Sequence, residues 1–107
     1  MLDETVYKID ENNSLLILDD DQPFLKRLSV AMEKRGFNVF PASSMADFSR
    51  IIESDCPNYA IIDLRLSDGT GLDAVESIRN VNPGSKIIVL TGYGAIATAV
   101  AAVLSSN

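Results

Sequence analysis

Histidine is absent from the 107 residues of the sequence, and cysteine occurs once, as Cys56. A Ser–His–Asp triad or a Cys–His pair needs an imidazole to take the proton of the nucleophile, so neither can be built here. Zinc fingers and HExxH metalloproteases need several histidine or cysteine ligands and are excluded as well. Any chemistry must therefore come from carboxylates, hydroxyls, backbone groups or a hard metal ion.

Long apolar runs, an excess of basic residues and paired cysteines are also missing. The apolar runs are far shorter than the roughly 20 residues of a membrane span, and the polar, mostly acidic start Met1–Asn13 lacks the features of a signal peptide. With 9 Lys and Arg against 15 Asp and Glu, the formal net charge of −6 disfavours direct binding to nucleic acid. A lone cysteine cannot form an internal disulfide, which favours the cytoplasm as the location.

What is present is enough for one domain with one core, since 47% of the residues are apolar. Short apolar runs alternate with segments of helical spacing. Four strands are predicted, at Leu15–Leu18, Phe37–Phe40, Tyr59–Ile62 and Lys86–Leu90. Four helices are predicted: one from Asp21 or Gln22 to Gly36, one capped by Ser44, one with Leu72, Val75 and Ile78 on its inner face, and one over Ala95–Leu104.

Local signals refine these elements. Pro23 fits the first turn of the first helix, where a missing N–H costs nothing. The inward stripe of that helix is predicted to be Phe24, Leu25, Leu28, Ala31 and Met32. Pro41 is predicted to end the second strand, and Leu64–Gly71 is predicted to be a glycine-containing loop.

The alternation of strands and helices predicts a doubly wound α/β fold. Connections of this length are too long for hairpins and form right-handed crossovers, so the sheet is parallel with helices on both faces. Residues 1–13 are expected to be a flexible leader and residues 14–107 to be the folded domain.

Polar residues follow three of the predicted strands. Asp19 and Asp20 come after the first strand, Asp63 after the third and Thr91 after the fourth. The carboxyl ends of parallel strands share one edge of the sheet, so these side chains are expected to converge there. Close carboxylates repel one another, and a hard divalent ion such as Mg²⁺ with oxygen ligands relieves that repulsion. A carboxylate beside such an ion is also a possible nucleophile for phosphoryl transfer.

Three segments together resemble a known family: Leu18-Asp19-Asp20, the stretch Asp63–Leu72 with its glycines, and Val89–Val100 with its Thr-Gly pair. In this combination and spacing, the chain resembles the receiver domain of two-component response regulators from Ser14 to about Val103. The second and third segments most resemble the redox and photosynthesis regulators of the RegA/ActR/PrrA type.

The resemblance implies a flavodoxin-like (CheY-like) fold with strand order 2-1-3-4-5, and it implies residue roles. Asp63 would accept a phosphoryl group from a partner sensor histidine kinase, in a phosphorelay that controls transcription, and the chain would not be a turnover enzyme. Mg²⁺ would bind Asp20 and Asp63 directly, Asp19 directly or through water, and the backbone carbonyl of Arg65. Thr91 would bond a phosphoryl oxygen and move inward on phosphorylation.

The sequence departs from the family pattern at its C-terminal end. It stops at Asn107, 16 residues after Thr91, before the Lys-Pro pair, the fifth strand and the fifth helix of receivers, and before a DNA-binding domain. We therefore expect a receiver of about four strands and four helices in which phosphorylation of Asp63 is slow and its coupling to Thr91 is weak. We also expect a homodimer or higher oligomer that covers the apolar surface left by the missing elements.

Two other functions stay open at this point. A pseudo-receiver, which docks on partners without being phosphorylated, is compatible with the missing lysine. An aspartate-nucleophile phosphatase is faintly similar around Asp63–Thr70, but such enzymes need a second acid two residues after the nucleophile, where this chain has Arg65. The simplest structural interpretation of Asp19–Asp21 is a solvated turn that caps a helix, and that of Thr91 is a strand-end residue.

Overall fold

A computed structural model of the chain describes residues 13–90. The elements in chain order are β1 Ser14–Leu18, α1 Gln22–Lys34, β2 Asn38–Ala42, α2 Met45–Ser54, β3 Tyr59–Asp63, β4 Arg65–Leu66, β5 Gly69–Thr70, α3 Gly71–Val81 and β6 Lys86–Leu90. The four main strands and the first three helices confirm the predicted alternation. The predicted fourth helix, Ala95–Leu104, and the predicted leader apart from Asn13 lie outside the described residues.

Four strands form one parallel sheet in the order β2-β1-β3-β6. The central strand β1 pairs with both β2 and β3, so that Leu18 lies opposite Ala42 on one side and Ile62 on the other. On the far side of β3, Asp63 pairs with Leu90 at the end of β6. This is the predicted doubly wound order over the described strands, and it aligns the carboxyl ends of β1, β3 and β6.

The core lies on both faces of this sheet. Leu16, Leu18 and Ile62 point to one face, where they pack with buried residues of α2 and α3 such as Phe48 and Ile78. The alternate residues Leu15 and Ile17 point to the other face, where they pack with Leu25 of α1. All four apolar residues of β1 are buried, because a parallel strand covered on both faces has no solvent side. No helix among residues 13–90 is long and apolar enough to cross a membrane.

Helix α1 begins and ends where the local signals predict, but its buried stripe differs. Asp21 is the N-cap and accepts from the N–H of Phe24, and Gly36 adopts a φ of 99° after the helix. The buried residues are Leu25 and Ser29, whereas Ala31 is exposed. The prediction of Ala31 as inward-facing is therefore wrong, because at 3.6 residues per turn Ala31 lies about 200° around the helix from the buried Ser29.

Strand β2 continues through Pro41 to Ala42 instead of ending before the proline. Among the described strands, β2 lies at an edge and pairs with β1 alone, so a residue without an N–H is tolerated where that N–H would point away from β1. The prediction that Pro41 ends the strand is wrong for this reason.

The segment after β3 is more regular than the predicted loop. Arg65 pairs with Thr70, and Leu66 with Gly69, in a short antiparallel ladder of β4 and β5. Leu72, predicted to face inward, is 52% exposed. It lies in the first turn of α3, and the side of this helix against the sheet is formed by Gly71, Ala74, Val75 and Ile78.

Candidate functional site

Three carboxylates meet at the carboxyl edge of the sheet. Asp19 and Asp20 follow β1, and Asp63 is the last residue of β3. One carboxylate oxygen from each lies within 4.8 Å of the others. The adjacency follows from the register, because Leu18 and Ile62, the residues before Asp19 and Asp63, are paired across β1 and β3. The structure thus brings together the three acids that the strand ends predict.

The electrostatics of this cluster disfavour three bare charges. Burial raises the pKa of Asp19, and the carboxylates of Asp63 and Asp20 raise it further. Burial also raises the pKa of Asp63, and the charge of Asp20 adds to the rise. The raised pKa values mean that the ionised forms of Asp19 and Asp63 are less favourable here than in water. A bound cation would reverse this balance by favouring the ionised form of all three groups.

Backbone amides orient each carboxylate. The N–H of Asp21 donates to Oδ1 of Asp19 at 2.9 Å, and the N–H of Arg65 donates to Oδ1 of Asp63 at 3.3 Å. These are turns in which an aspartate bonds the amide two residues ahead. Asp20 differs, because its Oδ2 accepts from the N–H of Ser67, which is 47 residues away in sequence, at 3.0 Å. The Asp20 contact was not predicted, since nothing local in the sequence signals it.

Gly71 fixes the start of α3 against the site. A β-carbon at this position would lie 2.2 Å from the backbone oxygen of Asp63, closer than real β-carbons approach such an atom. The N–H of Gly71 also donates to the carbonyl of Leu64 at 2.9 Å. The sequence predicts Gly71 only as part of a glycine-containing loop, whereas its essential feature is the close approach of two backbones.

Arg65 and Thr91 are the other two predicted site residues. Arg65 lies at the site through its N–H on Asp63, and the role of its carbonyl as a metal ligand stays a prediction. Thr91 lies outside the described residues. Its sequence neighbour Leu90 pairs with Asp63, so β6 delivers the chain to the same edge of the sheet.

The donor set fits a hard divalent cation. The cluster offers only carboxylate oxygens, which suit Mg²⁺ or Ca²⁺ and are poor partners for soft metals. Asp19 is buried, Asp63 is half-buried and Asp20 is exposed, so the cluster opens to solvent on one side. An ion held there could keep several waters and accept a further oxygen from a ligand, as Mg²⁺ usually does.

Comparison with known proteins identifies the family. A model of the response regulator receiver domain matches residues 15–106. The photosynthetic apparatus regulatory protein RegA of Rhodovulum sulfidophilum is 60% identical over 100 residues, covering 94% of this chain and 55% of that protein. The acid tolerance regulatory protein ActR of Rhizobium meliloti is 55% identical over 95 residues, covering 89% of this chain and 49% of that protein. The chain therefore spans about half the length of these relatives.

Solved structures agree in fold. A response regulator protein from Burkholderia pseudomallei, determined with a phosphorylated aspartic acid, a calcium ion and citrate, matches with a TM-score of 0.75 and 32% identity, over 86% of this chain and 54% of that one. A receiver domain protein from Clostridium thermocellum matches with a TM-score of 0.76 and 27% identity, over 87% of this chain and 75% of that one.

Proposed function

The chain belongs to the response regulator receiver family, and we propose that Asp63 is its phospho-acceptor, with a sensor histidine kinase as the donor. The observation that carries the proposal is the convergence of Asp63 with Asp19 and Asp20 within 4.8 Å at the carboxyl edge of the sheet. The phosphorylated aspartic acid and calcium ion in the Burkholderia pseudomallei relative support it.

For phosphoryl transfer, the protein mainly has to hold the nucleophile in position. An oxygen of the Asp63 carboxylate attacks phosphorus, an O–P bond forms, and the N–P bond of the kinase phosphohistidine breaks. The electron pair of that bond returns to the imidazole nitrogen, which takes a proton from solvent when the neutral tautomer forms. Positioning of Asp63 comes from the end of β3 and from the N–H of Arg65 on its Oδ1.

Mg²⁺ is the cation that we assign to the cluster. Asp19, Asp20 and Asp63 would hold it, together with the backbone carbonyl of Arg65. When bound, such an ion neutralises negative charge on the phosphoryl oxygens and the acids. Thr91 is proposed to donate its hydroxyl to a phosphoryl oxygen and so to report the modification.

The relatives RegA and ActR are regulatory proteins, and this supports a proposal for the process that phosphorylation controls. We propose that phosphorylation of this chain serves transcription control in the cytoplasm, and that the chain itself binds no nucleic acid, consistent with its net charge of −6. Its role is that of a signalling protein that is modified, in place of an enzyme that turns over substrate.

Intact mass spectrometry tests the proposal. The purified chain is incubated with Mg²⁺ and a small phosphodonor such as acetyl phosphate, and we expect a mass increase of about 80 Da, the mass of one phosphoryl group. The increase should vanish in Asp63→Asn and persist in Asp55→Asn, which changes an exposed aspartate at the end of α2. A wild-type chain that gains no mass while it still binds Mg²⁺ would favour the pseudo-receiver, a docking module without phosphorylation.

A further inference from the structure

The turn between β4 and β5 contacts two separate parts of the molecule. Since Leu66 pairs with Gly69, the two turn residues are Ser67 and Asp68. The N–H of Ser67 donates to Oδ2 of Asp20 at 3.0 Å. The carboxylate of Asp68 accepts from the N–H of Met45, at 3.0 Å to Oδ2 and 3.2 Å to Oδ1. This turn therefore bridges the acidic cluster and the first residue of α2.

The Ser67 contact matters because, among residues 13–90, Asp20 has no amide two positions ahead like those that orient the other two acids. Asp19 and Asp63 each accept from the residue two positions ahead, so their orientation is set by their own turns. Asp20 is exposed, and an exposed carboxylate samples several rotamers unless a contact selects one. Within residues 13–90, the amide of Ser67 is the hydrogen-bond donor that selects an orientation for Asp20.

The Asp68 contact holds the turn in the place where Ser67 can reach Asp20. The first amides of a helix lack partners within the helix, and a carboxylate there is favoured by the positive end of the helix dipole. Ser44, the N-cap of α2, accepts from Asp47, so Asp68 satisfies a different amide, that of Met45. The turn also packs closely on α2, since a β-carbon on Gly69 would lie 2.9 Å from Cγ of Met45.

We propose that the backbone amide of Ser67 is a positioning group for the metal site, which holds the Asp20 carboxylate ready to bind a divalent cation, and that Asp68 anchors this amide by capping α2. The inference rests on the proposed function, because it takes the cluster of Asp19, Asp20 and Asp63 as a Mg²⁺ site. Both residues lie outside the acidic cluster: Ser67 would act through its main-chain amide, and Asp68 through its bond to α2.

Ser67→Pro removes the amide hydrogen and is suited to this turn. Proline fits the first central position of ordinary β-turns, where φ is near −65°, and no non-glycine residue described here has a positive φ. The preceding residue, Leu66, is in a strand, which is the conformation that a following proline favours. Ser67→Ala is the matched control, because it removes the hydroxyl and keeps the amide.

The readout is the Mg²⁺ dissociation constant, measured by NMR titration of the amides of Asp20 and Asp63 in the full chain. Loss of an outer contact to a metal ligand weakens binding by roughly tenfold or more, so we expect about that weakening in Ser67→Pro and none in Ser67→Ala. A lower Tm in Ser67→Pro with an unchanged dissociation constant would show a purely structural role and overturn the inference. Absence of saturable Mg²⁺ shifts in the wild type would overturn the proposed metal site as well.

Two substitutions at Asp68 test the anchor. Asp68→Asn and Asp68→Ala lose the same charge, so any long-range effect on the cation is equal in both. Only the amide side chain of Asn can still accept the N–H of Met45. We expect Asp68→Ala to bind Mg²⁺ several-fold more weakly than Asp68→Asn, and equal dissociation constants in the two variants would overturn the anchoring role.

Discussion

At the scale of single residues, the three close carboxylates change the free energy of unfolding by an amount that depends on pH. The pKa values of Asp19 and Asp63 are raised chiefly by burial and then by neighbouring carboxylates. A group whose pKa is raised on folding contributes stability that is fully present below its unfolded pKa and is lost as the pH rises through its folded pKa. Without a cation, both aspartates therefore lower the free energy of unfolding at neutral pH.

Asp63→Asn removes one of these charges, and we expect it to raise the Tm of the metal-free chain at pH 7. The gain should shrink as the pH falls through the raised pKa of Asp63 towards 3.8, the ordinary value, because the folded wild-type carboxyl is protonated over this range. Thermal unfolding followed by circular dichroism across this range measures the effect. Glu76→Gln, an exposed change in the middle of α3, is the control, and an equal gain in both variants would contradict the electrostatic account.

Gly71 permits a second test at this scale. A methyl group there would overlap the backbone oxygen of Asp63, and relief requires movement of α3 or β3. We expect Gly71→Ala to lower the free energy of unfolding by about 3 kcal/mol, at the upper end of overpacking effects. Urea denaturation measures the change, and Gly84→Ala is the control because its nearest contact would be an ordinary 3.5 Å. Similar losses in the two variants would contradict the close-approach argument.

At the scale of elements, α1 contains an unusual buried hydroxyl. Oγ of Ser29 is buried and has no hydrogen-bond partner within the described part of the chain, whereas Oγ of buried Ser14 accepts from the N–H of Asn58. We expect Ser29→Ala to raise the free energy of unfolding by about 1 kcal/mol and Ser14→Ala to lower it by about as much. Urea denaturation of both variants measures this, and a loss of stability in Ser29→Ala would mean that the hydroxyl has a partner after all.

Element boundaries were predictable where the signal is local. The apolar run Leu15–Leu18 and the caps Asp21 and Ser44 depend on neighbouring residues alone, and the structure confirms them. Pro41 and Leu72 were misassigned because their outcome depends on tertiary position: an edge in the sheet for one and the rotation of α3 for the other.

In the candidate site, too, some features are predictable from the sequence and others are not. The convergence of Asp19, Asp20 and Asp63 follows from strand order, which the alternation of strands and helices predicts. The amide of Ser67 and the carboxylate of Asp68 could not be predicted, because each contact joins segments that are distant in sequence and depends on the path of one short turn.

At the scale of the whole molecule, one face of the sheet is less covered than the other over residues 13–90. Ile61 is half-buried and its register partner Ile88 is 52% exposed, while Ile87 and Val89 on the opposite face are buried against α2 and α3. Full exposure of an isoleucine side chain to water is about 1.5–3 kcal/mol less favourable than full burial, and a partly exposed side chain loses a fraction of that. Apolar area of this kind favours contact with another apolar surface.

We expect the 107-residue chain to self-associate through this face. Light scattering coupled to gel filtration at micromolar concentration should show a dimer or larger species, and Ile88→Lys should shift it towards monomer because a charge cannot be buried cheaply. Val30→Lys, an exposed apolar position on α1, is the control. A stable wild-type monomer would contradict this expectation.

We propose that the acidic edge of the sheet makes Asp63 a phosphoryl acceptor. Tandem mass spectrometry of the chain after reaction with a phosphodonor, in parallel samples with Mg²⁺ and with a chelator, locates the modification. We expect a single phosphoryl group on Asp63 that forms with Mg²⁺ and is largely lost with the chelator, because the three clustered acids need a cation when a phosphate approaches. Modification at another residue, or equal modification of Asp63 in the two samples, would contradict it.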